Sequence, residues 1–469
     1  MEISNHNSSS AFGYLRFIAS VFVLLSLLCI FFPSKGVRVG GTTLRFPKLA
    51  SVFSTETRTS TTRVEPSYEE DVVPLDNDSV GYYFALISSG DSRIWLPDDD
   101  VTFFDGFFRS AEQAERNHRI VRVLHYGDSQ IESDRITSRL RNRLQERFGG
   151  GGPGMIPLVQ PIPSYSFNQK TSGNPVGQST YGRGNYVKAD GNYGPMLRSW
   201  RLTGTSTLNM KSTQNRDADS RVKSFSRVRV LYNNRMGNLS GNLSVDNGAV
   251  HFSCDKGNGV MVQDWNLESA VSSATLVLDG GADVYGIMVD DGYGVAVDNI
   301  SMRGVSGQQF TMTNLTQLQD AYKKMDVGLI ILQFGGNSVP YLKDGNDVAK
   351  YCRQIGRQID YLHTAAPHTP ILFVGPSDMS TKVDGRLATY PILPTVVVSL
   401  RDTVLAHGVA YWSLYDAMGG ENSMIEWVSQ GLAEHDYLHF NHKGAMQMGD
   451  TFSDLFDRLY KMYKVRRKK

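Results

Sequence analysis

Two kinds of hydrophobic patterning alternate along the chain. Around 101–160, and again beyond 283, short apolar runs are followed by stretches with apolar residues at helical spacing. Phe104, Phe107, Phe108, Ala111 and Ala114 predict an amphipathic helix over 101–120, and Val121, Val123 and Leu124 predict a buried strand. After a glycine turn, Ile131, Ile136, Leu140, Leu144 and Phe148 predict a long helix, stopped by Gly149–Gly152 and Pro153. Val284–Val289, Val327–Phe334, Ile371–Gly375 and Ala410–Leu414 read as further strands, the first two as parallel-type, with helices at 344–364, 390–407 and 443–464. Tyr82–Ile87 also looks strand-like.

Between about 160 and 290 the helical period fades. Ser226–Tyr232, Leu239–Val245 and Ala274–Leu278 alternate at period two between Asn-Gly, Asp-Gly and Gly-Asn turns, as antiparallel strands of a sandwich do. The expected architecture is an α/β doubly wound parallel sheet interrupted by an inserted β-sandwich-like module. Its expected limits are 1–33 (signal segment), 34–78 (linker), 79–160 and 283–464 (α/β domain), 161–282 (insert) and 465–469 (basic tail).

Phe17–Phe32 carries no charge, follows Arg16 and is apolar on every face. It is long for a signal h-region, slightly short for a membrane span, and lacks a clear cleavage site. An uncleaved signal anchor is favoured over a cleaved signal peptide, and both export the remainder to a cell envelope or periplasm, with 17–32 as an inner-membrane anchor if retained. The Ser/Thr/Arg-rich stretch 34–78 suits a linker. With 48 basic and 47 acidic residues and net charge +1, bulk electrostatics do not suggest nucleic-acid binding. Cys29, Cys254 and Cys352 build neither a disulfide framework nor a cysteine zinc motif; Cys254 and Cys352 read as buried thiols. No cofactor is implied. Lys464–Lys469 reads as a solvated basic tail.

Candidate chemistry begins at Gly127-Asp128-Ser129. The strand–turn–helix setting lifts a serine hydroxyl to the carboxyl end of a sheet strand, where α/β folds place their sites. It also puts Ser129 at a helix N-terminus, whose N–H groups can face an oxyanion. A capping serine needs no such role, and a second Gly-Asp-Ser at 90–92 runs into Pro97 and acids where a helix should start. A base is available in Asp436-Tyr-Leu-His439: three-residue spacing on a tight turn lets the carboxylate hold one imidazole nitrogen while the other faces Ser129. Oxyanion donors besides the Ser129 N–H are offered by Asn337, after Gly335-Gly336, and by Gly304.

Gly127-Asp128-Ser129, Gly304, Gly335-Gly336-Asn337 and Asp436-x-x-His439 resemble the four ordered blocks of the SGNH/GDSL hydrolase superfamily over roughly 120–160 and 283–460. The resemblance implies a three-layer α/β/α sandwich, Ser129 as nucleophile, His439 as base, Asp436 as its orienter, and Gly304 and Asn337 as oxyanion donors. The third block departs from Gly-x-Asn-Asp, with Ser338 in place of the last acid. His125 to Gly154 is similar to envelope peptidoglycan O-acetylesterases of Gram-negative bacteria, which carry a β module between the first and second blocks. That similarity implies an O-acetylated glycan, peptidoglycan or another polysaccharide, as partner. Gln130, Tyr193 and Trp200 are candidate substrate contacts, and Tyr193, Trp200 and Trp265 have the stacking faces sugars use, although each of these three taken singly reads first as a core aromatic. Three alternatives stand beside this reading. A metal hydrolase would use His435, His439, His442 and Glu434, although the residues lack a clear helix to align them. An O-acetyltransferase would keep the serine site and change the acceptor, and a non-enzymatic glycan-binding protein would use only the insert. Gly149–Gly154 lacks the Lys-Ser/Thr of a phosphate loop and reads as a helix stop and flexible pocket wall.

Overall fold

The computed structural model describes Arg16, Ser20 and residues 37–39, 42–44, 77–89, 93–182, 187–216, 218–245 and 248–467. The apolar run 17–32, Cys29, most of the 34–78 linker and the second Gly-Asp-Ser at 90–92 lie outside the described residues. No helix among the described residues is long and apolar enough to cross a membrane. The chain divides into two compact units, 1–73 and 74–469. In the first, Val37–Val39 pairs antiparallel with Thr42–Leu44.

The second unit holds a six-stranded sheet. In chain order its strands are β1 (Ile94–Trp95), β2 (Ile120–Gly127), β3 (Gly294–Ser301), β4 (Val327–Gln333), β5 (Ile371–Val374) and β6 (Ala410–Trp412). They lie in the order β3-β2-β4-β5-β6-β1, all parallel except the short edge strand β1. The helices are α1 (Asn77–Ser88), α2 (Asp105–Ala114), α3 (Thr137–Phe148), α4 (Leu315–Met325), α5 (Gly345–Ala365), α6 (Leu393–Ala406), α7 (Leu414–Met418), α8 (Ser423–Ser429) and α9 (His442–Arg467). Period-two alternation divides them between two layers. Val121 and Val123 of β2 pack with α1, α2, α3 and α9, whereas Leu124 and Tyr126 share a core with α4, α5 and α6. Both faces of the central strands are therefore buried, which explains their near-continuous apolar runs.

The insert adds a six-stranded and a five-stranded antiparallel sheet. Leu208, Met210, Leu243 and Leu276 of one, and Val228, Val230 and Trp265 of the other, join one apolar core that is continuous with Leu124 and Tyr126 of β2. The segment Asp283–Asp290, expected as a parallel strand, instead pairs antiparallel with Phe225–Asn233, Arg198–Arg201 and Gly154–Ile156. Burial on both faces made it look like a parallel strand; here the second face is covered by the insert itself. Strands from 154 to 290 thus belong to the insert sheets, a wider span than 161–282.

Other expectations are corrected too. Tyr82–Ile87 is helical within α1, because Tyr83 and Ile87, four apart, both bury against the layer containing α9. The 101–120 helix shortens to α2. The glycine run is a close crossing rather than a flexible wall: a Cβ at Gly150 would lie 2.8 Å from the Val295 carbonyl oxygen, and one at Gly152 2.5 Å from that of Val289. The basic C-terminus is docked, with Arg466 bonding Asp105 at 3.0 Å and Lys464 and Arg467 pairing with Glu112 of α2. Cys254 and Cys352 are both free thiols, and only Cys352 is buried.

Candidate active site

The carboxyl ends of β2, β4 and β5 open on one pocket, the position at which doubly wound sheets bind ligands. Asp128, Ser129 and Gln130 follow β2, Gly336 and Asn337 follow β4, and Gly375, Pro376 and Ser377 follow β5; with Leu438 and His439 they line a cavity of about 150 Å³.

The chain does not enter a long helix at Ser129 as its spacing predicts. It turns through a six-residue 3-10 segment, Ser129–Asp134, and α3 starts only at Thr137. Positive φ at Ser133, Asp134 and Ile136 breaks the helical path. Asp128, not Ser129, caps the turn: its Oδ1 accepts from the Gln130 N–H at 2.9 Å. A Cβ at Gly127 would press on the end of the Ile131 side chain, 2.8 Å from its Cδ1, and stand 3.2 Å from the Gln333 carbonyl oxygen.

Three candidate residues form one hydrogen-bonded row. Ser129 Oγ lies 2.8 Å from His439 Nε2, and His439 Nδ1 lies 2.7 Å from Asp436 Oδ2. A carboxylate can only accept here, so the ring proton belongs on Nδ1 and Nε2 is left to accept from the serine hydroxyl. Asp436 Oδ1 accepts from the backbone N–H groups of Leu438 and His439 at 2.9 and 3.0 Å. Partial burial pushes the Asp436 carboxyl upward, but bonds from the His439 ring and these N–H groups outweigh it and hold the acid below its ordinary range. The His439 and Asp436 side chains remain 34% and 46% exposed, so the row is open to solvent.

Two residues tie the Ser129 turn to the His439 loop. Arg135 donates to the carbonyls of Ser129 at 2.6 Å and Phe440 at 2.8 Å. Gln130 Nε2 donates to the Leu438 carbonyl at 2.7 Å and to Ser377 Oγ at 3.1 Å. Gln130 therefore lines the pocket with its amide nitrogen already engaged. Sequence inspection missed Arg135, whose only signal was a basic residue in the turn after the serine.

Asn337 Nδ2 donates to Asp128 Oδ2 and to the Val305 carbonyl, both at 3.1 Å, so both amide hydrogens are engaged. Burial pushes the Asp128 acid up to about 6, with the Gln130 N–H, His439 and Asn337 offsetting part of that rise. Gly304, with φ +76°, lies one residue before Val305 and outside the residues lining the pocket; open space surrounds its Cβ direction. Beneath the turn runs a second polar row that sequence inspection also missed. Asn299 donates to Thr137 Oγ1 at 2.7 Å, Thr137 Oγ1 lies 3.0 Å from His125 Nδ1, and His125 Nε2 lies 3.1 Å from Gln333 Oε1. Burial drives His125 down to about 3 and keeps it neutral. Gln333 Nε2 is buried without an acceptor among the described residues, and Gln333 lines the pocket. A lone polar side chain inside each apolar strand was the available clue.

The other expected contacts lie elsewhere. Tyr193 is buried with its hydroxyl accepting from the Lys188 N–H, and Trp265 packs edge-on against Phe252. Trp200 is buried in the wall of a different cavity. Of the cluster considered for a metal, His442 stands against the Tyr165 ring at 4.6 Å and His439 is engaged with Ser129 and Asp436. Among the described residues no group of three His, Cys, Asp or Glu is placed to hold a metal.

Residues 272–446 match the GDSL-like Lipase/Acylhydrolase family. A solved structure entitled "Peptidoglycan O-acetylesterase in action, 5 min" superposes with TM-score 0.61, covering 80% of this chain and 99% of that one at 21% identity. The chain has the SGNH hydrolase fold. A family two carbohydrate esterase from Cellvibrio japonicus is more distant, with TM-score 0.24 and 11% identity over 63% of this chain and 99% of that one. No curated protein sequence gives a significant match. The family match spans Gly304, Asn337, Asp436 and His439, while Ser129 precedes it.

Proposed function

We propose that this protein is a serine esterase that removes O-acetyl groups from cell-envelope glycan, with peptidoglycan as the first substrate. The observation that carries the proposal is the Ser129–His439–Asp436 row opening into a pocket of about 150 Å³. That volume suits an acetyl group better than a long acyl chain. The likeness to a structure named for a peptidoglycan O-acetylesterase supports the choice of glycan. The apolar run 17–32 supports export to the envelope, with the chain tethered by that run if it is retained.

In the proposed reaction His439 Nε2 takes the Ser129 proton as Oγ attacks the acetyl carbonyl. The ester C–O bond then breaks, and the imidazolium returns the proton to the departing sugar oxygen. Water, deprotonated by the same nitrogen, attacks the acetyl-serine; acetate leaves and Ser129 recovers its proton. Asp436 keeps the ring in the required tautomer. The oxyanion is met by the Ser129 N–H and by Asn337 Nδ2, which must exchange one of its two present acceptors for it; the Gly304 N–H, outside the present pocket lining, is the further donor that the order of the sequence blocks implies.

The test is acetate release from O-acetylated peptidoglycan by the wild type and by Ser129→Ala. Release by the wild type is expected, with a loss on the order of 10⁶-fold in the variant. Equal release by both would remove Ser129 as nucleophile. Hydrolysis of 4-nitrophenyl acetate without release from peptidoglycan would keep the esterase and reject the substrate.

A further inference from the structure

A second cavity, of about 440 Å³, lies where the insert meets the 132–134 and 299–303 turns of the core. It shares no lining residue with the Ser129 pocket. The two are nevertheless built on one turn, since Ser129 lines the first and Glu132, three residues on, lines the second. Its volume falls in the range of roughly 300–1,000 Å³ usual for small-ligand sites.

The wall is aromatic and the charge is unbalanced. Arg198 and Trp200 alternate along the strand Arg198–Arg201 and so share a face. Phe167, from the facing sheet, and Tyr181 extend the wall. Both acids are matched: Glu132 takes the Arg303 guanidinium at 3.0 Å, and Asp134 takes Arg141 at 2.9 Å. The remaining cation is Arg198. Its guanidinium lies 4.8 Å from the centre of the Tyr181 ring, and it has no carboxylate partner among the described residues. Among the described residues the cavity thus holds one uncompensated positive charge beside an aromatic wall. A single carboxylate neutralises it, and a planar guanidinium can bind a carboxylate through two parallel hydrogen bonds. A phosphate dianion would leave one negative charge over.

We propose that this cavity is a subsite for a carboxylate-bearing sugar, its ring against the wall formed by Trp200 and Tyr181 and its carboxylate on Arg198. The assignment deepens the esterase reading and rests on it: the acetylated residue meets Ser129 while an acidic sugar of the same glycan fills the seam. A carboxylate of this kind can come from a lactyl ether free of its peptide, as in muramic acid of peptide-stripped glycan, or from a uronic acid.

The proposal is tested by binding, with no turnover involved. The full chain carrying Ser129→Ala is titrated by calorimetry with N-acetylmuramic acid, with its neutral methyl ester, and with glucuronic acid. At least one acid is expected to bind about tenfold tighter than the neutral ester. The preferred acid identifies the source of the carboxylate. Adding Arg198→Gln should bring that ratio close to one, and Arg198→Lys, which keeps the charge, should retain a preference. Equal affinity for acids and ester, no binding of either acid, or a preference that survives Arg198→Gln in a folded protein would overturn the assignment. Because acetate release is not the readout, failure of the esterase proposal would show separately, in the wild-type assay.

Discussion

The Ser129 row and the cluster around Arg122 are both chains of acids and bases anchored on β2, yet they are built in opposite ways. Arg122 of β2 is fully buried and bonds Asp290 of the insert and, at 2.6 Å, Asp298 of β3, with Arg229 beyond at 3.6 Å from Asp290. Burial lowers the Arg122 pKa, but Asp298 and Asp290 outweigh it and the guanidinium is held more firmly charged than usual. Asp298 also accepts from the Met155 N–H at 2.7 Å, so the cluster binds insert to core at several points. In the Ser129 row, by contrast, Asp436 and His439 are three residues apart, partly exposed and held by a local turn. A proton must move along that row during the proposed reaction, and a sealed charge could not give one up cheaply. On the proposed mechanism, the difference separates charges that work from charges that hold.

The sharpest way to break the comparison is Asp436→Asn. If the exposed acid serves chemistry rather than stability, kcat should fall about 10⁴-fold. The melting temperature should move little, because the acid is half-exposed. Stopped assays and thermal unfolding on the same preparation measure both. A large loss of stability with activity retained would place Asp436 among the structural charges.

Arg122→Met is the reciprocal change. It leaves Asp298 buried without a cation and Asp290 with the longer Arg229 contact beside the Gly292 N–H at 2.9 Å. The expected loss is about 3–5 kcal/mol of unfolding free energy by denaturant titration. Residual activity per folded molecule should be retained, since Arg122 does not line the Ser129 pocket. Stability within about 0.5 kcal/mol of the wild type would show that the buried cluster holds nothing.

Asn337→Ala should cost roughly 10²–10³-fold in kcat with a smaller change in KM, as loss of one oxyanion donor does. The result sharpens the comparison because Asn337 belongs to both sides: it braces Asp128 and Val305 in this structure and is proposed to serve the oxyanion in the reaction. A change in stability alone would leave it only the first role.

How much of this could be read from the chain follows the same division. β2, β4, β5, β6, α5 and α6 were legible because each carries its own local period, and Asp436-x-x-His439 was legible because its geometry is set within four residues. What depended on distant neighbours was not. The helical state of Tyr82–Ile87 is decided by packing against the α9 layer, and the antiparallel pairing of Asp283–Asp290 by Phe225–Asn233, some fifty residues away in sequence. Arg135 and Gln130 act on backbone carbonyls near His439, which no spacing rule connects to them. The 3-10 turn after Ser129 interrupts a helical period that the apolar residues themselves satisfy; positive φ at Ser133, Asp134 and Ile136 overrides it.

Asp128 fits neither class, and its titration is the finest test of the division. It is as buried as the Arg122 cluster, yet its hydrogen-bond donors are the neutral Gln130 N–H and Asn337 amide. Burial accordingly raises its pKa from 3.8 to about 6, the direction opposite to that of Asp436. An acid whose folded pKa is raised binds more protons folded than unfolded between those values, so its contribution to stability falls as pH rises from about 4 to about 6. The full span corresponds to roughly 3 kcal/mol, at 1.36 kcal/mol per pH unit. Asp128→Asn removes the titration while keeping a carbonyl oxygen for the Gln130 N–H. Its new NH₂ faces the Asn337 amide, so absolute stability is expected to drop at every pH, and the slope is the informative quantity. Denaturant unfolding at several values between pH 4 and 6 should show a smaller fall with pH in the variant than in the parent. Identical slopes would mean that Asp128 is as well compensated as the acids around Arg122, and the buried group next to the proposed nucleophile would then belong with the charges that hold.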